Sequence, residues 1–108
     1  PRIAKACKLI TDNLLEEASV ETLAKQVFLS PSRFTHLFRQ QLGTSVTRWR
    51  EQQRIQHAKT LLQSTLLPIA VIGQQTGYDD PIYFSRVFRK QAGMSPSDYR
   101  QQKSLFCE

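Results

Sequence analysis

The chain has 108 residues, with 15 Lys and Arg against 9 Asp and Glu and a formal net charge of +6. That length holds one domain or two very small ones with a modest core, and no run approaches the ~20 apolar residues of a membrane span. The cationic surplus points to a polyanion, nucleic acid ahead of an anionic membrane surface. Cys7 and Cys107 sit at opposite ends; they make no disulfide framework, which fits a reducing cytoplasm. The chain opens at Pro1 directly in helical pattern with no signal peptide, which reads as a fragment of something longer.

Residues 2 to about 16 carry Ile3, Ala6, Cys7, Ile10 and Leu14 at helical spacing, the stripe of an amphipathic helix. Ser19 caps a short second helix to about Phe28, with Glu21 in its first turn and Val20, Leu23, Ala24 and Val27 inward. Leu29-Ser30-Pro31 reads as turn, N-cap and first-position proline. The helix that follows, to Leu42, buries Phe34, Leu37, Phe38 and Leu42 and stops at Gly43. Ser45 caps the longest helix, to about Ser64, with Val46, Trp49, Ile55, Ala58, Leu61 and Leu62 inward. Pro68 opens a short helix through Ile69 and Ile72. Asp80-Pro81 repeats the cap-and-proline signal, and the next helix buries Phe84, Val87 and Phe88 before Gly93. Ser95-Pro96 starts a last short helix through Tyr99, and residues 102–108 read as a fraying tail.

Residues 34–50 return as residues 84–100. Phe34/Phe84, Phe38/Phe88, Arg39/Arg89, Gln41/Gln91, Gly43/Gly93, Ser45/Ser95 and Arg50/Arg100 match, and Trp49 and Tyr99 are equivalent. A duplicated small unit in a basic chain suggests two copies of one reading head. The expected fold is all-α: seven helices forming two helix-turn-helix subdomains, at about 19–43 and 68–93, joined by a long connector helix at about 45–64. Ile55, Ala58, Leu61 and Leu62 are expected to pack against both. Twenty helical residues span ~30 Å, against about 34–36 Å between successive major-groove segments on one side of B-DNA; a rigid connector therefore suits two heads one turn apart.

With Phe34 inward, a 100° projection puts Ser32, His36, Arg39 and Gln40 on the opposite side, flanked by Arg33 and Thr35. With Phe84 inward, Ile82, Arg86 and Arg89 face out, Ser85 flanks, and Asp80 and Pro81 sit at the N-terminus. Arginine reads guanine bidentately, so Arg86 is assigned a base contact and Arg39 and Arg89 phosphates. Ile82 suits a thymine methyl. A polar helix face is by default merely solvated; two at matching places in a repeat of a basic chain favour binding. The phenylalanine stripes are core, not a stacking platform for single strands.

The run Arg54-Ile55-x-x-Ala58-x-x-Leu61-Leu62, then Ile69, Gly73, Gly77-Tyr78, Tyr83-Phe84-Ser85-Arg86-x-Phe88-Arg89-Lys90, Gly93, Ser95-Pro96 and Tyr99-Arg100, resembles the signature of the AraC/XylS family of bacterial transcription regulators. The likeness covers about residues 3 to 101. Residues 30–33, 37–43, 49–54 and 77–80 most resemble a sugar-responsive member. The resemblance implies a double helix-turn-helix DNA-binding domain over residues 1–101, with one helix of each unit in the major groove of double-stranded DNA. The first would offer Ser32, Arg33, Thr35, His36 and Arg39, and the second Asp80, Pro81, Ile82, Ser85, Arg86 and Arg89. Pro81 and Ile82 depart from the hydrogen-bonding side chains common in relatives, which shifts weight to Asp80 and Arg86. The resemblance also implies a missing N-terminal sugar-binding and dimerisation domain, a monomeric fragment, and contact with RNA polymerase on activation.

Enzymatic, metal and cofactor chemistry find no pattern. His36 and His57 lack partners at metal-ligand spacing, and the glycines are helix stops and turns rather than a phosphate loop. Cys7 reads as a buried structural thiol and His57 as an exposed connector residue. The alternatives are the regulator-type domain of a DNA-alkyl-repair methyltransferase, which needs a reactive cysteine, and a non-specific basic module.

Overall fold

The computed structural model describes residues 1–105. Seven helices and no strand occur among them: α1 (Arg2–Asp12), α2 (Val20–Gln26), α3 (Pro31–Leu42), α4 (Val46–Ser64), α5 (Ile69–Gln75), α6 (Pro81–Ala92) and α7 (Pro96–Lys103). Short polar side chains set most of the starts. Ser19, Ser30, Ser45 and Ser95 accept from the amides of Thr22, Arg33, Arg48 and Asp98 at 3.1–3.2 Å, and Asp80 Oδ1 accepts from Ile82 at 3.0 Å. Each bond satisfies one amide that the helix leaves without an internal partner.

Two compact units result, Pro1–Gln53 and a second beginning at Arg54, with the boundary inside α4. The first core joins Ile3, Ala6 and Ile10 of α1, Leu23 and Ala24 of α2 with Val27 beyond it, Phe34 and Phe38 of α3, and Val46 of α4. The second joins Ile55, Ala58 and Leu62 of α4, Ile72 of α5, Tyr78, and Phe84, Val87 and Phe88 of α6. Ile55, Ala58 and Leu62 therefore serve the second core and not both, with Leu61 half-buried against it. The reason lies in a further part of the repeat. Arg54-Ile55-x-x-Ala58-x-x-Leu61-Leu62 restates Arg2-Ile3-x-x-Ala6-x-x-Leu9-Ile10 of α1. The first turns of α4 correspond to α7. Trp49 meets Phe38 edge-on at 5.9 Å, and Tyr99 meets Phe88 edge-on at 5.5 Å. α4 is thus the closing helix of one unit run into the opening helix of the next.

Several boundaries differ from expectation. α1 stops at Asp12 because Asn13 leaves helical geometry at φ −135° and its side-chain amide donates to the Leu9 carbonyl at 3.0 Å. α2 stops at Gln26, and Phe28 adopts φ 61°. Pro68 is the N-cap of α5 rather than its first residue. α7 continues past Tyr99 to Lys103, so Gln102 and Lys103 are helical, and the Leu105 amide donates to the Gln63 carbonyl at 2.9 Å. The rest of the expected tail, 106–108 with Cys107, lies outside the described residues.

Candidate nucleic-acid interface

The two reading helices are held by the same device. Phe34 and Phe38 are fully buried with ring centroids 5.8 Å apart; Phe84 and Phe88 are fully buried at 5.9 Å. Burying one such ring contributes about 1.5–3 kcal/mol, and two on one stripe fix the rotation of the helix. Gly43 and Gly93 end the helices at φ 75° and 80°, each amide bonding the carbonyl of Arg39 or Arg89 at 2.8–2.9 Å.

On α3 this rotation leaves Ser32, Arg33, Thr35, His36, Arg39 and Gln40 exposed. Ser32, Thr35, His36, Arg39 and Gln40 come together around an open concavity of about 650 Å³; Arg33 is exposed but does not line it. On α6, Pro81, Ile82, Arg86 and Arg89 are exposed and Ile82 is 73% accessible. Ser85 is half-buried at the flank, and Asp80 is exposed with one carboxylate oxygen engaged in capping. The side chains of Arg33, Arg39, Arg86 and Arg89 make no hydrogen bond or ion pair among the described residues.

The remaining arginines of the repeat do different work. Arg50 is buried and donates to the Ala18 carbonyl at 2.6 Å. Arg100 donates to the Leu62 and Thr65 carbonyls, both at 3.3 Å. Arg54 is buried with its guanidinium 5.7 Å from the Tyr78 ring centroid. Structural arginines thus point inward to carbonyls and a ring, while those of the two helix faces stay without a protein partner. A planar cation that no carboxylate pairs with is suited to phosphate oxygens and to guanine.

Two contributors escape a one-helix projection. Val20 and Glu21, from the first turn of α2, form the other wall of the α3 concavity. Only the crossing of α2 over α3 brings them there. His57 is exposed, and no group of three or more His, Cys, Asp or Glu converges for metal binding among the described residues. Cys7 is half-buried against the first core, and burial pushes its thiol above the ordinary value, with its backbone hydrogen bond pulling the other way. No described helix is long and apolar enough to cross a membrane.

The helix-turn-helix domain family matches over residues 23–102. The chain belongs to the AraC-type helix-turn-helix DNA-binding domains. Members of this family regulate transcription, and the chain is 53% identical over 100 residues to the arabinose operon regulatory protein of Escherichia coli strain K12. That match covers 92% of this chain and 34% of the relative. An AraC-type transcriptional regulator from Chromobacterium violaceum superposes with a TM-score of 0.91 at 29% identity, covering 98% of this chain and 95% of that one. The DNA-binding domain of AdpA, solved in complex with a target DNA, gives a TM-score of 0.83 at 29% identity, covering 92% and 89%. The chain spans about a third of the length of the arabinose regulator it matches. As an AraC-type domain it binds double-stranded DNA, and the all-α, double helix-turn-helix fold is the family's own.

Proposed function

We propose that this domain reads a specific DNA sequence with α3 and α6 and serves a regulator of arabinose-utilisation genes. Two capped helices, each pinned by a buried phenylalanine pair and each offering arginines with no protein partner among the described residues, carry this reading. In the first unit Ser32, Thr35, His36 and Gln40 read base edges, while Arg33 and Arg39 hold phosphates. In the second, Arg86 reads a base, Ile82 meets a thymine methyl, Asp80 and Pro81 shape the N-terminal end, Ser85 flanks, and Arg89 meets the backbone. The likeness to the arabinose operon regulator supports the gene class. The same reading places the domain in a longer, dimeric, cytoplasmic, sugar-responsive protein that contacts RNA polymerase, with no enzymatic step, metal or cofactor of its own.

Selection of bound duplexes from a random pool tests it. Two preferred sequence blocks, bound about 10³-fold or more tighter than scrambled DNA at physiological salt and found in arabinose promoters, are the expected result. Equal binding to scrambled duplexes would leave a non-specific basic module.

A further inference from the structure

A second cleft opens at the far end of α3, where the chain turns into α4. It encloses about 410 Å³ and is lined by Arg39, Gly43, Thr44, Ser45 and Arg48. Arg39 also lines the α3 reading concavity, so one side chain borders both. No carboxylate lines the cleft, and neither guanidinium has a protein partner among the described residues. Arg48 sits in the first turn of a 19-residue helix that has no acidic residue there. A cation at that end faces the positive pole of the helix, an unfavourable placement unless an anion joins it.

The repeat supplies an internal control. The equivalent turn of the second unit keeps Arg89, Gly93 at φ 80° and the Ser95 cap, yet puts Met94 where Thr44 stands and Asp98 where Arg48 stands. Asp98 is the residue that a helix N-terminus favours. With the same backbone device in both turns, the first alone carries a second arginine where the other carries a helix-stabilising acid.

We infer that Arg48 and Arg39 together clamp a phosphodiester of the DNA backbone beside the α3 contact, a grip the second unit lacks. Two planar donors match the paired oxygens of a phosphate, and the Thr44 hydroxyl adds a donor. This rests on α3 being a reading helix.

Arg48→Ala in the full chain tests it by titration of binding against salt, on the selected duplex and on a scrambled one. Arg48 is exposed and faces the positive pole of its helix, so the thermal midpoint should hold or rise slightly. The slope of log affinity against log salt should fall in magnitude by about 0.9 on both duplexes. Equivalently, a fourfold rise in salt should cost the variant about 3.5-fold less than the parent. A selected duplex carrying one neutral methylphosphonate, walked along the contacted block, should weaken the parent at each held linkage, and at the clamped one it should weaken Arg48→Ala less than the parent, because only Arg39 remains there. An unchanged slope overturns the clamp, as does a loss confined to the selected duplex. A parent that prefers no duplex refutes sequence reading instead, while the slope change on scrambled DNA still decides the clamp.

Discussion

Arg50 donates to the carbonyl of Ala18 at 2.6 Å from a side chain that is 8% exposed. Ala18 immediately precedes the Ser19 cap of α2, so one guanidinium ties the start of α4 to the entry of the helix-turn-helix. Hydrogen bonds made by charged groups contribute about 1.5–3 kcal/mol. Arg50→Ala should therefore destabilise the domain by that amount in urea unfolding. Arg100→Ala, which loses two longer bonds at 3.3 Å from a half-buried position, should cost less. A change below about 0.5 kcal/mol, the level of an ordinary surface substitution, would remove Arg50 from the structural set.

The phenylalanine pairs make a stronger demand on packing. Phe38→Ala or Phe88→Ala removes a ring that is buried, packed at an angle against the phenylalanine one turn before it and met edge-on by Trp49 or Tyr99. Such truncations cost about 3–5 kcal/mol. A small unit has little more than that to lose, so each variant should shift most of its own unit towards the unfolded state. Far-ultraviolet circular dichroism on heating measures this, and a midpoint lowered by only a degree or two would contradict the placement.

These elements show why so much was legible and where legibility ended. Ser30-Pro31 with Gly43, and Asp80-Pro81 with Gly93, bracket α3 and α6 by backbone chemistry alone, and the spacing of the phenylalanines then sets which face is free. The end of α1 depended on the Asn13 side chain turning back to Leu9, which no periodicity reports. The division inside α4 was hidden because the repeat changes offset. Ile3 corresponds to Ile55, Phe28 to Gly77, and Phe34 to Phe84, so one fixed shift of fifty residues aligns only the third pair. Glu21 and Arg48 reach their clefts through the packing of successive helices, which a projection of α3 by itself omits.

Two left-handed glycines at different places in the repeat, Gly77 and Gly43, differ in what surrounds them. Gly77 has φ 102°, and a Cβ there would lie 2.9 Å from the Arg54 guanidinium, itself buried beside Tyr78. Gly43 has φ 75° with nothing within 4 Å of a Cβ. Gly43→Ala should cost only the backbone penalty of about 1–2 kcal/mol. Gly77→Ala adds a clash against an enclosed side chain, about 1–3 kcal/mol more. Paired urea titrations would show the difference; equal losses would mean that Arg54 moves aside freely.

Cys7 gives the domain an alkaline weakness. Burial favours the neutral thiol, so the folded chain releases that proton at a higher pH than the unfolded chain. Between those two values the folded state holds the extra proton, and stability falls as pH rises; below the unfolded value the contribution is complete. In a Cys107→Ser background, the stability advantage of Cys7 over Cys7→Ala should shrink from pH 7 to pH 10. A widening gap would reverse the sign. The same suppressed thiolate predicts that Cys7 stays unmodified on incubation with methylated DNA, read by mass spectrometry, whereas alkyl transfer to it would revive a repair function.

Arg86 separates base reading from backbone holding. It is exposed on the α6 face that Phe84 and Phe88 turn outward, and it has no protein partner among the described residues. A bidentate contact to one base pair is worth about 1–3 kcal/mol of discrimination. Arg86→Ala should lose that much affinity for the selected duplex, bind scrambled DNA almost as the parent does, and relax preference at a single position when selection is repeated. Removing a phosphate contact instead weakens all sequences alike and lowers the salt slope by about one unit. A uniform loss with a lowered slope would therefore move Arg86 to the backbone and leave Ile82 as the side chain of α6 nearest a base.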